Sequence, residues 1–288
     1  MSKKRSGWIS RIFLSLGLLA FLSFSIVPLL SSVLEARQTT QASTPSPTEA
    51  PTANEEENLQ AQARGYELVL QREPDNQTAL KGLIDVRSQL NDLEGTIEPL
   101  ERLAELNPDQ PSYTILLAQT KQYLGDREGT AETYRQLLTS DPGNVLALQG
   151  LVDLLLQENR PEAALGVLEE TLQLAPQANQ AEAGSIDTVS VQLLLGQVYA
   201  HQQRNEEALN VYENLIKEHS DDFRPLVGKG LILDEMGKSD EAKATLSRAI
   251  EVAPSQHKDR IQLLLDRLDT PTAETAPPEE APESASDE

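Results

Sequence analysis

The chain carries three histidines, His201, His219 and His257, and no cysteine. A zinc site on one helix face needs two ligands an i, i+4 step apart, and no two of these histidines stand at that spacing. Without cysteine there is no thiolate nucleophile, no thiolate metal site and no disulfide. The carboxylate pairs Glu169-Glu170, Glu206-Glu207 and Asp221-Asp222 are adjacent in sequence, which turns the members of a pair to different sides of a helix. Phosphate loops, nucleophile elbows and dinucleotide fingerprints are absent. The expectation is a protein that is no enzyme, with no catalytic, metal or cofactor-binding residues and no small-molecule substrate. The remaining chemistry is that of contact: amide, carboxylate and apolar side chains at helical spacing, suited to capturing another protein.

The elements that must position such contacts are legible in LGQVYAHQQRNEEALNVY, residues 195–212. Gly196 and Tyr199 share one helix face, Ala208 and Tyr212 share another, and the polar stretch between them turns the chain. The pattern returns at a fixed interval. Pro74, Pro108, Pro142 and Pro176 are each 34 residues apart, and Pro254 joins the series if ten residues are inserted after Pro176. Five repeats follow, 77–110, 111–144, 145–178, 189–222 and 223–256, with the insertion at 179–188. Their twentieth place is always small (Thr96, Thr130, Ala164, Ala208, Ala242) and their twenty-fourth always large (Leu100, Tyr134, Leu168, Tyr212, Leu246). Small residues facing large ones let two antiparallel helices approach closely. Residues 58–72 read as a lone helix before the first repeat, and 259–268 as a closing helix after the last, since a solenoid exposes an apolar face unless something covers it.

A 34-residue unit with these offsets resembles the tetratricopeptide repeat, over residues 58–268. The resemblance implies an all-α superhelical solenoid of about five complete repeats plus end helices. It also implies a peptide groove lined by the first helix of each repeat. Carried over place by place, the groove candidates are Lys81 and Asp85 in the first repeat, then Ile115, Gln119, Gln122 and Tyr123 in the second. The third supplies Gln149, Asp153, Leu156 and Gln157, the fourth Leu193, Gln197 and His201, and the fifth Val227, Leu231 and Asp234. The family's basic clamp for a C-terminal carboxylate is not reproduced. Lys81 holds one of its places, but Asp85, Leu116, Leu146 and Gly150 occupy the others. Arg87 and Lys121 stand where the family favours an aromatic, and Pro99 falls inside the second helix of the first repeat.

The ends carry a different expectation. Residues 1–11 are basic, and Ile12–Leu34 is a run of 23 residues without a charge, long enough as a helix to cross ~30 Å of hydrocarbon. This reads as a transmembrane signal anchor with a cytoplasmic N-terminus and the solenoid on the trans side, in periplasm or thylakoid lumen. The alternative is cleavage near Ala36 and release of a soluble exported adaptor, or a non-catalytic subunit of an envelope enzyme complex. Residues 35–57 and the acidic 269–288 lack apolar periodicity and read as disordered linker and tail. Beyond residue 37 there are 19 basic and 45 acidic residues, a balance that excludes nucleic acid and favours basic protein partners. Together these features predict a membrane-tethered scaffold that binds basic or apolar segments of membrane-complex subunits, similar to tetratricopeptide proteins of bacterial envelopes and thylakoids.

Overall fold

The computed structural model describes residues 53–269. Among the described residues there are twelve α-helices, one short 3-10 turn at Glu94–Thr96 and no strand, in agreement with the all-α expectation. The helices are α1 (Ala53–Leu70), α2 (Gln77–Gln89), α3 (Ile97–Leu106), α4 (Pro111–Tyr123), α5 (Arg127–Ser140) and α6 (Val145–Gln157). They continue with α7 (Pro161–Ala181), α8 (Thr188–His201), α9 (Asn205–Glu218), α10 (Arg224–Glu235), α11 (Ser239–Val252) and α12 (Ser255–Asp269). The chain divides into two units, Met1–Leu194 and Leu195–Glu288, and the division falls within α8. In the first unit each of α1 to α6 packs against the next helix along the chain, and in the second each of α9 to α11 does the same.

Local chemistry explains where these helices begin and end. Asn76 and Asn144 cap α2 and α6 by accepting from the backbone N–H of Ala79 and Ala147, each at 3.0 Å, which satisfies one of the donors a helix start leaves free. Pro74 and Pro142 stand two residues before these caps, so the proline spacing marks where the next first helix starts. At α4 the cap position, Gln110, makes no such bond, and Pro111 opens the helix where its missing N–H is not needed.

Every first helix ends on a residue in the left-handed region: Asn91 (φ 57°), Gly125 (82°), Asn159 (57°), Gln203 (62°) and Gly237 (75°). That residue and its successor both donate back into the last turn. After α6, the Asn159 N–H reaches the Leu156 carbonyl at 3.0 Å and the Arg160 N–H reaches that of Leu155 at 2.8 Å. The same two bonds close α2, α4, α8 and α10, satisfying carbonyls that would otherwise lack partners and reversing the chain into the second helix.

Three tyrosines then lock a second helix to the first helix of the following repeat. Tyr66, Tyr134 and Tyr212 lie against Gly82, Gly150 and Gly228, where an added Cβ would enter the ring. Each pair is separated by the same sixteen residues. Tyr212 also faces Gly196 of its own repeat, so its ring, 2% exposed, is held between two glycines. The places favoured by aromatics in the resembled family are filled differently in the first two repeats. Arg87 pairs with Glu67 at 2.6 Å and Lys121 with Glu101 at 2.9 Å, each cation meeting a carboxylate twenty residues earlier on the helix before. Pro99 is accommodated because α3 begins at Ile97, leaving the proline in its first turn.

The structure departs from the sequence reading in three places. Pro176 does not close a repeat: it lies inside α7, which continues to Ala181, because Ala and Gln on both sides favour helix strongly enough to outweigh one missing N–H. The chain reverses afterwards, where the Asn179 amide donates to the Ile186 carbonyl and its oxygen accepts from the Ile186 N–H, at 2.9 and 2.8 Å. Residues 53–57, read as linker, belong to α1, whose first turn carries Glu55 and Glu56 in favourable contact with the helix dipole. The third correction concerns localisation as a single-pass membrane protein. Among the described residues no helix is long and apolar enough to cross a membrane. The longest, α7, carries Glu162, Glu169 and Glu170. That topology is therefore not supported, and Ile12–Leu34, like the acidic residues beyond Asp269, lies outside the described residues.

Two comparisons test these devices by denaturant unfolding. Gln203 lacks the freedom of glycine at a left-handed position, so Gln203→Gly is expected to raise stability by about 1 kcal/mol. No gain would mean that the Gln203 side chain offsets the backbone strain. An added Cβ at Gly196 would lie 2.6 Å from the Tyr212 ring, whereas at Gly166 it meets nothing within 4 Å. Gly196→Ala should therefore lower stability by roughly 1–3 kcal/mol and Gly166→Ala should raise it by about 0.5–1 kcal/mol. Equal effects would remove the tyrosine lock from the account.

Candidate functional site

The first helices present the groove candidates at i, i+4, i+7 and i+8, one face of each helix, but the structure does not expose that face evenly. Its fifth-place members Ile115, Gln149, Leu193 and Val227 are buried. So are Leu156, Gln197 and Leu231. Lys81, Asp85, Tyr123, Gln157 and His201 are exposed, while Gln119, Gln122, Asp153 and Asp234 are half-buried. The seven buried members contribute to packing, and the other nine keep exposed or half-buried side chains. In the first unit these are Lys81, Asp85, Gln119, Gln122, Tyr123, Asp153 and Gln157; in the second, His201 and Asp234.

Within the first unit, Lys81 lies over the Tyr113 ring with its Nζ 5.6 Å from the centroid, a cation–π contact that holds the ammonium at the surface. Tyr123 is 77% exposed at the end of α4, a large ring open to solvent. The chemically distinctive residue is Asp153 on α6. Its Oδ1 is buried and accepts no hydrogen bond, and burial pushes the carboxyl from 3.8 up to about 7. A carboxylate in this setting lacks the water or donor that would stabilise its charge. Burial, and then the nearby Asp153 carboxyl, raise the Tyr134 phenol as well.

Within the second unit, Gln197 is 2% exposed and neither atom of its amide is hydrogen-bonded. It occupies the ninth place of its repeat, as Asp153 does in the preceding one. Asp234 on α10 is raised by burial and lowered by Arg267 on α12. Loss of hydration lowers the His201 imidazole, which favours its neutral form. The family resemblance pointed to Asp153 and Gln197 but gave no sign that their polar atoms lack partners, since that depends on what packs around them.

Among the described residues no group of three His, Asp or Glu is placed to hold a metal ion. The arrangement offers hydrogen-bond acceptors, an ammonium and an exposed ring along helix faces, which is the equipment of a binding surface.

The Tetratricopeptide repeat family matches residues 52–253. Protein SLOW GREEN 1, chloroplastic, of Arabidopsis thaliana is 30% identical over 188 residues, covering 65% of this chain and 58% of that protein. The chain thus spans under two thirds of this relative's length. Yeast Tom70 is similar in fold, with a TM-score of 0.50 and 12% identity over 77% of this chain and 44% of Tom70. A thermophilic tetratricopeptide protein of Thermus thermophilus gives a TM-score of 0.46 and 21% identity over 67% of this chain and 98% of its own. With the family matched across most of its length, and with helical hairpins whose left-handed turns recur repeat after repeat, the chain belongs to the tetratricopeptide repeat family.

Proposed function

We propose that the chain is a non-catalytic scaffold that binds a peptide segment of another protein along the exposed part of its first-helix face. By holding that segment it assists assembly or stabilisation of a protein complex. The segment carries basic and apolar side chains: an ammonium or guanidinium to meet Asp153, and an apolar or planar group to meet Tyr123. The observation that carries this reading is the buried, unpartnered Oδ1 of Asp153. An acceptor atom without a donor is destabilising on its own, and because the residue as a whole is half-buried a cationic ligand compensates the carboxylate chiefly by counter-charge. Membership in a family of helical-hairpin repeats supports the same reading, as does the acidic balance, which steers basic partners toward the chain.

The carboxyl value gives this reading a pH signature. Asp153 ionises as pH rises through about 7, so a basic ligand should bind more tightly at pH 8 than at pH 6. Asp153→Asn should remove the difference, weakening capture of an Arg- and Leu-containing peptide on the order of tenfold at pH 8 (about 1.4 kcal/mol) and hardly at all at pH 6. Fluorescence anisotropy with a labelled peptide set measures this; capture unchanged by the substitution, with an unchanged helical spectrum, would exclude Asp153 from the ligand contact.

Stability should follow the same group in the opposite sense. The folded state keeps its proton up to about pH 7 while the unfolded carboxyl releases it near 3.8. The folded state therefore binds more protons across this window, and stability falls as pH rises from about 4 to 7. Asp153→Asn should gain on the wild type across that window, by up to roughly 4 kcal/mol. Parallel stability curves in denaturant titrations would show that Asp153 is hydrated in the folded protein.

A further inference from the structure

The second unit contains a cleft that none of the groove candidates line. Its volume is about 310 Å³, and it is walled by Glu213, Ile216 and Lys217 of α9, Leu226 and Lys229 of α10, and Ala244, Thr245 and Arg248 of α11. Ile216, Leu226 and Ala244 supply apolar surface, while Lys217, Lys229 and Arg248 bring three cations against the single carboxylate of Glu213. That carboxylate is already engaged: Lys229 Nζ lies 2.7 Å from its Oε1, and Lys229 and then Lys217 hold the Glu213 carboxyl below its usual value. Arg248 is exposed and has no hydrogen-bond or ion-pair partner among the described residues. The cleft thus has an excess of positive charge in a chain whose formal net charge is −22. On α10, Leu226 and Lys229 lie on the side of the helix away from Val227, Leu231 and Asp234, given 100° per residue. The cleft is therefore a separate surface from the first-helix face.

We propose that this cleft docks an acidic segment of a partner protein, one in which Asp or Glu alternates with small apolar residues. The carboxylates meet Arg248 and Lys217 at the rim, and the small side chains lie on Ile216, Leu226 and Ala244. Charge complementarity selects this occupant. A long polyanion such as a nucleic acid would meet the unfavourable field of the whole chain, whereas a short acidic segment meets chiefly the local cations, with the remainder screened within about 8 Å at physiological salt. The scaffold then has two chemically opposite docking surfaces, one seeking cations and one seeking carboxylates.

The test uses the full chain and a labelled synthetic peptide of Glu, Asp and Ala, with its Gln/Asn counterpart as control, by fluorescence anisotropy at low and physiological salt. The acidic peptide should bind and the amide peptide should not. Arg248→Glu and Lys217→Glu should each weaken binding roughly tenfold or more, while Asp153→Asn, which alters the other surface, leaves it unchanged. Both substituted cations are exposed, so the helical spectrum and melting temperature should hold. Equal binding of the two peptides, or no loss in the charge-reversed variants, overturns the proposal. Binding of a single-stranded oligonucleotide in place of the peptide also overturns it. A final arm changes the six acidic residues of 270–288 to amides in the full chain. If the peptide binds only then, the cleft belongs to the chain's own acidic end, and the partner assignment fails.

Discussion

Helical hairpins depend on one backbone constraint, the left-handed residue that ends each first helix. An α-helix leaves its last carbonyls without partners. Here two of them are satisfied by N–H groups that only a left-handed residue can turn inward. Because Asn91, Gly125, Asn159, Gln203 and Gly237 all do this with the same pair of bonds, the second helix leaves each first helix in the same direction. The tyrosine–glycine contacts recur at a fixed spacing of sixteen residues across the other turn, from a second helix to the first helix of the next repeat. The turn sets direction, and the ring against glycine sets distance.

This division of labour accounts for what the sequence revealed. The small-large alternation at the twentieth and twenty-fourth places was readable because each repeat displays it independently. The left-handed turns were equally present as Asn, Gly, Asn, Gln and Gly at one register position, though Gln203 blurs the pattern by lacking the usual residue type. Pro176 misled because a proline is a local signal and helix extension is a sum over its neighbours. In ALGVLEETLQLAPQANQA the sum favours helix.

Site legibility stops at a different point. The resemblance to the repeat family placed all sixteen candidates on one face of the first helices. Exposure is decided by whatever packs over that face, which is why Ile115, Gln149, Leu193 and Val227 share a register place with Lys81 yet are buried while it is exposed. The missing partner of Asp153 Oδ1 is likewise a property of surroundings. The basic cleft is harder still to read, since Lys217, Lys229 and Arg248 come from three helices and stand among many acidic neighbours in sequence.

Within each unit the principal pairings join helices that follow one another in the chain, and this has a kinetic meaning. No strand must find a distant mate and no long loop must close before contacts repay its entropy. Folding can begin in any hairpin and spread outward by adding one neighbour at a time. Opening should follow the same grain in reverse, with amide protons in the end helices of each unit exchanging through local fraying well before those in its interior helices.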